Sequence, residues 1–258
     1  MSARPALAAV HRSGPIQPVG EHAIWCAADW ATHTLPCQPS GHAALDALLP
    51  GGGWPAGQLM ELHQPQRMHA EWRLLLPALR SASLAGRVLL VNPPHTPNLQ
   101  ALQAQGLHTA QLMVVDTPHK AHIVWSVEQA LKCPDVRAVV AWLPQSSYDM
   151  QRRLHLAALA SRSLATAAMG GPARLWVWRA AEQRHMPSPA ALRLHVCSRG
   201  WHGLRVDVFK RKGAGGAATV DIEAPLPVGR LWPRSSDGVS VRPFLQQHVV
   251  DRPARLAA

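Results

Sequence analysis

The sequence is short of acidic residues, of cysteine and of every aromatic residue type except tryptophan. Its 258 residues hold 15 Asp and Glu against 26 Lys and Arg, which gives a formal net charge of +11. A positive excess of this size favours an acidic partner, either nucleic acid or an acidic protein surface, although a genome biased towards arginine produces the same excess without one. With 47% hydrophobic residues, the chain is neither disordered throughout nor fibrous.

Features of membrane and secreted proteins are also absent. The sequence has no run of 18 apolar residues, and Met1 to Val10 shows no positively charged start followed by an apolar stretch. The four cysteines form no CxxC pair and are widely scattered, as Cys26, Cys37, Cys133 and Cys197. This usage favours structural thiols in a reducing compartment, so we predict a cytoplasmic protein without membrane contact.

The fifteen histidines are numerous but dispersed. His63 and His69, or His119 and His122, are close in sequence, yet neither pair has the carboxylate and third ligand that a metal site needs. No Ser/His/Asp or Cys/His set has an acidic partner that would orient it for catalysis. We therefore predict no metal site, no cofactor and no catalytic residue.

The composition divides the chain into three segments. Residues 1–38 are rich in Pro, Ala and Gly and predict a loosely ordered N-terminal arm. Residues 39–229 alternate apolar β-type runs with helical patterns, which is typical of parallel strands joined by crossover helices. Residues 230–258 form an Arg- and Pro-rich C-terminal tail. The predicted fold class is α/β, with a mostly parallel central sheet flanked by helices and with antiparallel edge strands.

The predicted elements follow the apolar periodicity. Strands are predicted at 58–63, 87–91, 111–115, 137–142 and 174–179, followed by antiparallel edge strands at 193–196, 204–210 and 218–223. The continuous apolar run at 111–115 predicts a strand buried on both faces. Helices are predicted after Ser40, at 72–85, at 96–105, after Thr117 and at 147–162. Ser40 and Thr117 are expected to cap their helices, and Pro77 to kink or shorten the second one.

Ten tryptophans dominate the aromatic content, and we assign most of them to the core. Burial is expected for those within predicted strands and helices, namely Trp72, Trp125, Trp142, Trp176 and Trp178. Trp54, Trp201 and Trp232 lie in predicted turns or in the tail, and are therefore freer to contact a partner.

The order of the elements resembles the RecA-like ATPase core. Gly52-Gly53-Trp54-Pro55-Ala56-Gly57 before the first strand and the late strand Leu204 to Lys212 support the resemblance, which implies a phosphate-binding GxxxxGK[ST] loop after the first strand. The matching residues are Gln64, Pro65, Gln66, Arg67, Met68, His69, Ala70 and Glu71. They include no glycine, and Ala70 and Glu71 replace the lysine and the hydroxyl. We predict a degenerate P-loop and no ATP hydrolysis, with Arg67 as a candidate phosphate ligand from outside the motif.

A degenerate P-loop, tryptophan-rich strands, the run Val139 to Pro144 and the basic ending Lys210-Arg211-Lys212 resemble the ImuA family. These are SulA- and RecA-related accessory proteins of mutagenic translesion DNA synthesis. The resemblance implies a non-catalytic adaptor of the SOS response, associated with the nucleoid when DNA is damaged. It implies binding to ImuB, a catalytically inactive relative of Y-family polymerases, with RecA, an error-prone replicative-type polymerase and DNA as further partners. SulA-type inhibitors share the fold, so binding to the tubulin-like division protein is the alternative.

Two groups of residues are predicted to contact partners. Weak nucleic-acid contacts are predicted for the basic residues Lys210, Arg211, Lys212, Arg179 and Arg184, with a merely solvated turn as the alternative. In the tail, an apolar stripe on a predicted helix is formed by Phe244, Leu245, Val249 and Val250. This stripe either fills a groove on a partner or packs back on its own sheet.

Overall fold

The structure is a computed structural model that describes residues 36–65, 68–165, 171–211 and 216–224. A small ribbon of β1 (Cys37–Gln38) and β2 (Trp54–Pro55) precedes the main sheet. The main sheet consists of β3 (Leu59–Gln64), β4 (Arg87–Val91), β5 (Leu112–Val115), β6 (Val136–Trp142), β7 (Arg174–Ala180), β8 (Leu192–Arg199), β9 (Gly203–Arg211) and β10 (Ala218–Glu223). The helices are α1 (Ala43–Asp46), α2 (Glu71–Ala85), α3 (Leu99–Ala104), α4 (Lys120–Lys132) and α5 (Tyr148–Ala165).

The eight main strands lie in the order β10-β9-β8-β3-β7-β6-β4-β5. The six strands from β8 to β5 run parallel, and β9 and β10 add antiparallel pairs at one edge. The predicted fold class, a mostly parallel α/β sheet flanked by helices, is confirmed, and antiparallel strands lie at one edge. Residues 193–196, predicted as an antiparallel edge strand, instead belong to β8, which pairs parallel with β3 inside the sheet. The parallel arrangement was predictable because helical patterns lie between the first five predicted strands. Parallel neighbours need such crossover connections, whereas a β-hairpin suffices for antiparallel neighbours.

Each face of the sheet has its own hydrophobic core. On one face, α2 contributes Leu74 and Leu79, which pack with strand residues such as Leu62, Trp176 and Val206. On the other face, the core is built from α4, α5 and the opposite side of the strands, including Ile123, Val127, Leu154, Val139 and Val177. All six residues of β3 are buried, as expected for a parallel strand covered on both faces.

The tryptophans divide differently from the prediction. Trp142, Trp176 and Trp178 are buried as predicted. Trp54 was assigned to a free turn but is fully buried, with its ring edge-on to Trp176 at a centroid distance of 5.8 Å. Trp125 was assigned to the core but is 58% exposed, because it lies on the outer side of α4. Trp232 falls outside the described residues.

Strand β5 corrects a second prediction. Its apolar sequence predicted burial on both faces, yet Met113 and Val114 are exposed. The reason is its position, since β5 is the last strand of the sheet and pairs with β4 alone within the described chain. An apolar run identifies a strand, but it does not reveal whether the strand ends the sheet.

The starts of several helices differ from prediction. Helix α4 begins after His119 rather than at Thr117, and α3 begins after Asn98, whose side chain accepts a hydrogen bond from the Ala101 N–H at 3.0 Å. Ser40 does not cap α1, which begins after His42. Pro77 does not shorten α2, which continues to Ala85.

The start of the described chain belongs to the folded body. Cys37 and Gln38, which were assigned to the N-terminal arm, pair with Pro55 and Trp54. The rest of the predicted arm lies outside the described residues. Among the helices that the structure describes, none combines the length and the apolar character required to cross a membrane.

Candidate functional site

The carboxyl ends of the parallel strands form the candidate site, because open α/β sheets bind ligands at that edge. The connection from β3 to α2 lies there, and it contains the residues predicted to form a degenerate P-loop. Gln66 and Arg67 of this connection are outside the described residues. The chemistry of the remaining residues decides whether the connection can receive a phosphate.

Inside the connection, a buried carboxylate occupies the position that the resemblance gives to a hydroxyl. Glu71 is 4% exposed, and its Oε1 accepts hydrogen bonds from Gln64 Nε2 at 2.8 Å and from Trp142 Nε1 at 3.0 Å. Gln64 Oε1 in turn accepts from the Ala70 N–H at 3.2 Å. The Gln64 and Trp142 side-chain donors and the Ala70 N–H are therefore paired with protein atoms. A carboxylate at this place opposes a phosphate by charge.

Two imidazoles lie at the mouth of the connection. His69 Nε2 and His95 Nε2 are 3.2 Å apart, and His69 Nδ1 is 3.9 Å from Glu71 Oε1. Within the described residues, no group of three His, Cys, Asp or Glu side chains is placed to hold a metal ion. The contact between His69 and His95 joins the β3–α2 connection to the segment that follows β4.

A second buried cluster lies under the other face of the sheet, on neighbouring parallel strands. Glu61 of β3 is fully buried, and its carboxylate accepts hydrogen bonds from Arg179 Nη1 at 3.2 Å and from Arg193 Nε at 2.7 Å. Ser188 Oγ and His63 Nε2 lie 2.5 and 3.2 Å from the same carboxylate. We call these five residues the Glu61 cluster. It joins β3 to β7, to β8 and to the loop before β8.

The Glu61 cluster carries more positive than negative charge. Burial alone raises the pKa of Glu61, but the hydrogen bond from His63, the charge of Arg179, the bond from Ser188 and the charge of Arg193 outweigh burial and lower the pKa to about 2. Burial lowers the pKa of His63. Since that ring is then neutral at pH 7, the charged groups of the cluster are one carboxylate and two buried guanidinium groups. The cluster therefore depends on Glu61 remaining ionised.

The depressed pKa of Glu61 predicts a loss of stability in acid. In the unfolded chain the carboxyl titrates near its ordinary value of 4.5, so its stabilising contribution is complete above that pH and is lost as the pH falls towards about 2. We expect a loss of about 3 kcal/mol over this window. The measurement is urea unfolding between about pH 6 and about pH 2, compared with Glu61→Gln. An equal pH dependence in both proteins would contradict the assignment to Glu61.

The predicted nucleic-acid residues are divided between the interior and the surface. Arg179 is only 2% exposed and is bound to Glu61, which corrects its assignment to a surface contact. The Arg184 guanidinium carbon lies 5.6 Å from the centre of the Phe209 ring, and Lys210 Nζ donates to the Ser188 carbonyl at 2.7 Å. Arg211 Nη1 donates to the Leu48 carbonyl at 2.5 Å. Lys212 is outside the described residues, as are Phe244, Leu245, Val249 and Val250.

Sequence reasoning missed Glu61, Arg193 and Arg73 as important residues. Arg73 of α2 is 9% exposed and donates to the carbonyls of Ala224, Gly200 and Gly203 at 2.7, 3.2 and 2.8 Å. Charged residues among apolar ones within predicted strands were the available signal, because a charge that becomes buried must find a partner. The sequence QLMELH and the strand containing Arg193 both carry this signal.

Comparison with known proteins gives one family. Residues 57–165 match the family model described as cell division inhibitor SulA. The match begins two residues before β3 and ends with α5, so it includes the β3–α2 connection and the first four strands of the main sheet. No curated protein matches the chain. The molecule is therefore a mixed α/β protein with a SulA-like region.

Proposed function

We propose that this protein is a non-catalytic accessory protein of the SOS response, built on a RecA-like core whose phosphate loop is degenerate. The match to SulA over residues 57–165 supports a role related to that response. The alternation of strands and crossover helices, followed by antiparallel edge strands, agrees with the resemblance to RecA. The body serves in this proposal as a scaffold that binds other proteins in the cytoplasm and near damaged DNA.

The observation that carries the non-catalytic assignment is the internal pairing of Glu71 at the start of α2. Glu71 is bound internally by Gln64 and Trp142, so the start of α2 presents a paired carboxylate instead of a lysine and a hydroxyl. A working P-loop needs backbone N–H groups, a lysine for the phosphates and a hydroxyl for Mg²⁺. Ala70 and Glu71 supply neither side chain, so binding and hydrolysis of ATP are not expected.

The finer proposal is an ImuA-type adaptor that binds an ImuB-type polymerase relative. The basic late strand of the chain and its apolar tail stripe support this choice. RecA and an error-prone replicative-type polymerase are further proposed partners. The SulA match favours a second candidate, an inhibitor that binds the tubulin-like division protein.

Calorimetry of the full chain against each candidate partner tests these proposals. We expect tight binding to the ImuB-type protein, about 10-fold weaker or more after Phe244→Asp and Leu245→Asp, because the change places charge in an apolar contact. The matched control is Val239→Asp with Val241→Asp, which adds the same charge elsewhere in the tail. Binding only to the division protein would replace the adaptor by the inhibitor, and heat from MgATP would overturn the non-catalytic proposal.

A weak contact with DNA is proposed for the basic residues that lie at the surface. Arg184→Ala with Lys210→Ala should reduce the slope of log affinity against log salt by about 1.4 for a single-stranded oligonucleotide, since each phosphate contact contributes about 0.7. Fluorescence anisotropy at several salt concentrations measures the slope. The control variant is Arg80→Ala with Arg152→Ala, which removes two exposed arginines elsewhere on the protein. An equal reduction in that control would mean that only the net charge matters.

A further inference from the structure

An open groove lies between the β3–α2 connection and the turn from β8 to β9. Its volume is about 710 Å³, and its lining includes Met68 and Pro65 on one side and Trp201 and Gly200 on the other. Trp201 is 67% exposed, so most of its side chain faces the opening. The groove therefore has apolar walls and a wide opening.

Arg73 and an open strand edge form the inner side of this groove. Strand β8 pairs with β3 only as far as His195, and its residues from Val196 to Arg199 continue past that pairing. On the side of β3, no strand of the described chain pairs with these four residues. The edge and the exposed Trp201 together suit an extended segment rather than a compact ligand.

The described chain ends beside this groove. Ala224 donates its N–H to the His202 carbonyl at 2.9 Å, and its own carbonyl accepts from Arg73 Nε at 2.7 Å. Arg73 is itself part of the groove lining. An extended chain covers about 3.3 Å per residue, so the four residues that follow Ala224 reach about 13 Å and need no intervening loop.

The sequence of those four residues fits an apolar groove. Residues 225–228 read Pro-Leu-Pro-Val and carry no charge. Each proline fixes its own φ and also restricts the residue before it to extended conformations, so little conformational entropy is lost when the segment is held. Proline-rich extended segments bind grooves that are lined by aromatic side chains. The short tether adds a high effective concentration.

We propose that residues 225–228 of the same chain lie in the groove and cover Trp201. The occupant is intramolecular, because the chain enters the groove region at Ala224 and the segment needs no second molecule to reach it. The consequence is that the C-terminal tail from residue 230 starts at the carboxyl edge of the sheet, next to Trp201. This inference does not depend on which partner the tail binds.

Exposure of the Trp201 indole in the full chain tests this proposal. In protein labelled with ¹⁵N-tryptophan, a soluble gadolinium chelate relaxes exposed indole N–H signals, and Trp201→Phe assigns the relevant one. We expect relaxation of the Trp201 signal to increase by about twofold or more in Leu226→Asp with Val228→Asp, because charged side chains should leave the groove. Equal relaxation in wild type and variant would overturn the proposal.

Two controls distinguish the remaining occupants. Val239→Asp with Val241→Asp should leave the Trp201 signal as in wild type, and Trp125, which is 58% exposed on α4, should not change in any variant. Protection of Trp201 that increases with protein concentration would mean that the segment comes from a second copy, which would overturn the intramolecular proposal. If the signals of buried Trp176 and Trp178 show unfolding, Leu226→Ser serves as the milder variant.

Discussion

Replacement of Glu61 by leucine is expected to lower the free energy of unfolding by about 3–5 kcal/mol. The variant leaves Arg179 and Arg193 buried without their shared carboxylate. Removal of one member of a buried ion pair costs much more than the net contribution of the pair, because the remaining charge stays out of water. Urea unfolding at pH 7 measures the loss.

The matched control for Glu61 is a carboxylate at the surface. Glu128 of α4 accepts two hydrogen bonds from Arg153 of α5, at 2.9 and 2.7 Å, and the Arg153 side chain is 53% exposed. Glu128→Leu is expected to cost about 1 kcal/mol or less, because water screens the charge that remains. Similar losses for the two variants would contradict the view that burial makes the Glu61 cluster critical.

A triple variant separates the contribution of charge from that of packing in the Glu61 cluster. Glu61→Leu, Arg179→Leu and Arg193→Leu together should recover much of the loss seen with Glu61→Leu alone, since apolar replacement of a whole buried ion cluster is often close to neutral. A triple variant less stable than Glu61→Leu would show that the arginines contribute mainly through their other contacts, such as that of Arg179 with the Ser146 carbonyl.

Replacement of Arg73 by methionine is expected to lower the free energy of unfolding by about 3–5 kcal/mol, through the loss of several hydrogen bonds from one charged group. Its guanidinium donates to carbonyls of the β8–β9 turn and to the carbonyl of Ala224, which follows β10. These hydrogen bonds connect both segments to α2. Methionine keeps much of the length of the side chain but cannot donate. Denaturant unfolding measures the total loss of free energy. Amide hydrogen exchange should become faster in the variant, with the greatest increase in rate near Gly200 and Gly203.

Arg80 of the same helix is the control for Arg73. It is exposed, so Arg80→Met should change the free energy of unfolding by about 0.5 kcal/mol or less. Faster exchange spread evenly over the whole sheet in Arg73→Met, rather than concentrated in the turn, would contradict the role of Arg73 in holding the β8–β9 turn to α2.

The sequence predicted the elements well wherever apolar periodicity alone decides them. The strands Arg87–Val91 and Ala218–Glu223 have the predicted bounds, and the apolar side of α5 formed by Leu154 and Ala158 is buried as expected. Local pattern was sufficient there, because each element buries the face that its own sequence makes apolar.

The prediction failed where the environment depends on distant parts of the chain. Trp54 and Met113 were assigned by their immediate neighbours, but their burial is set by Trp176 and by the position of β5 at the end of the sheet. The Glu61 cluster was missed for the same reason. Its arginines are 118 and 132 residues away from Glu61 in the chain, so no local window contains the cluster.

The central position of β3 has a consequence for the order of folding. Met60 of β3 pairs with Trp176 of β7 on one side and with Leu192 of β8 on the other. During synthesis, β3 is the first strand of the main sheet to emerge, yet both of its neighbours follow more than a hundred residues later, and such distant pairing slows folding and leaves apolar surface exposed. Residues 57–165, which match the SulA family model, contain β3 without β7 or β8. Within that region β4 pairs with both β5 and β6, whereas β3 gains its neighbours only when β7 and β8 are present.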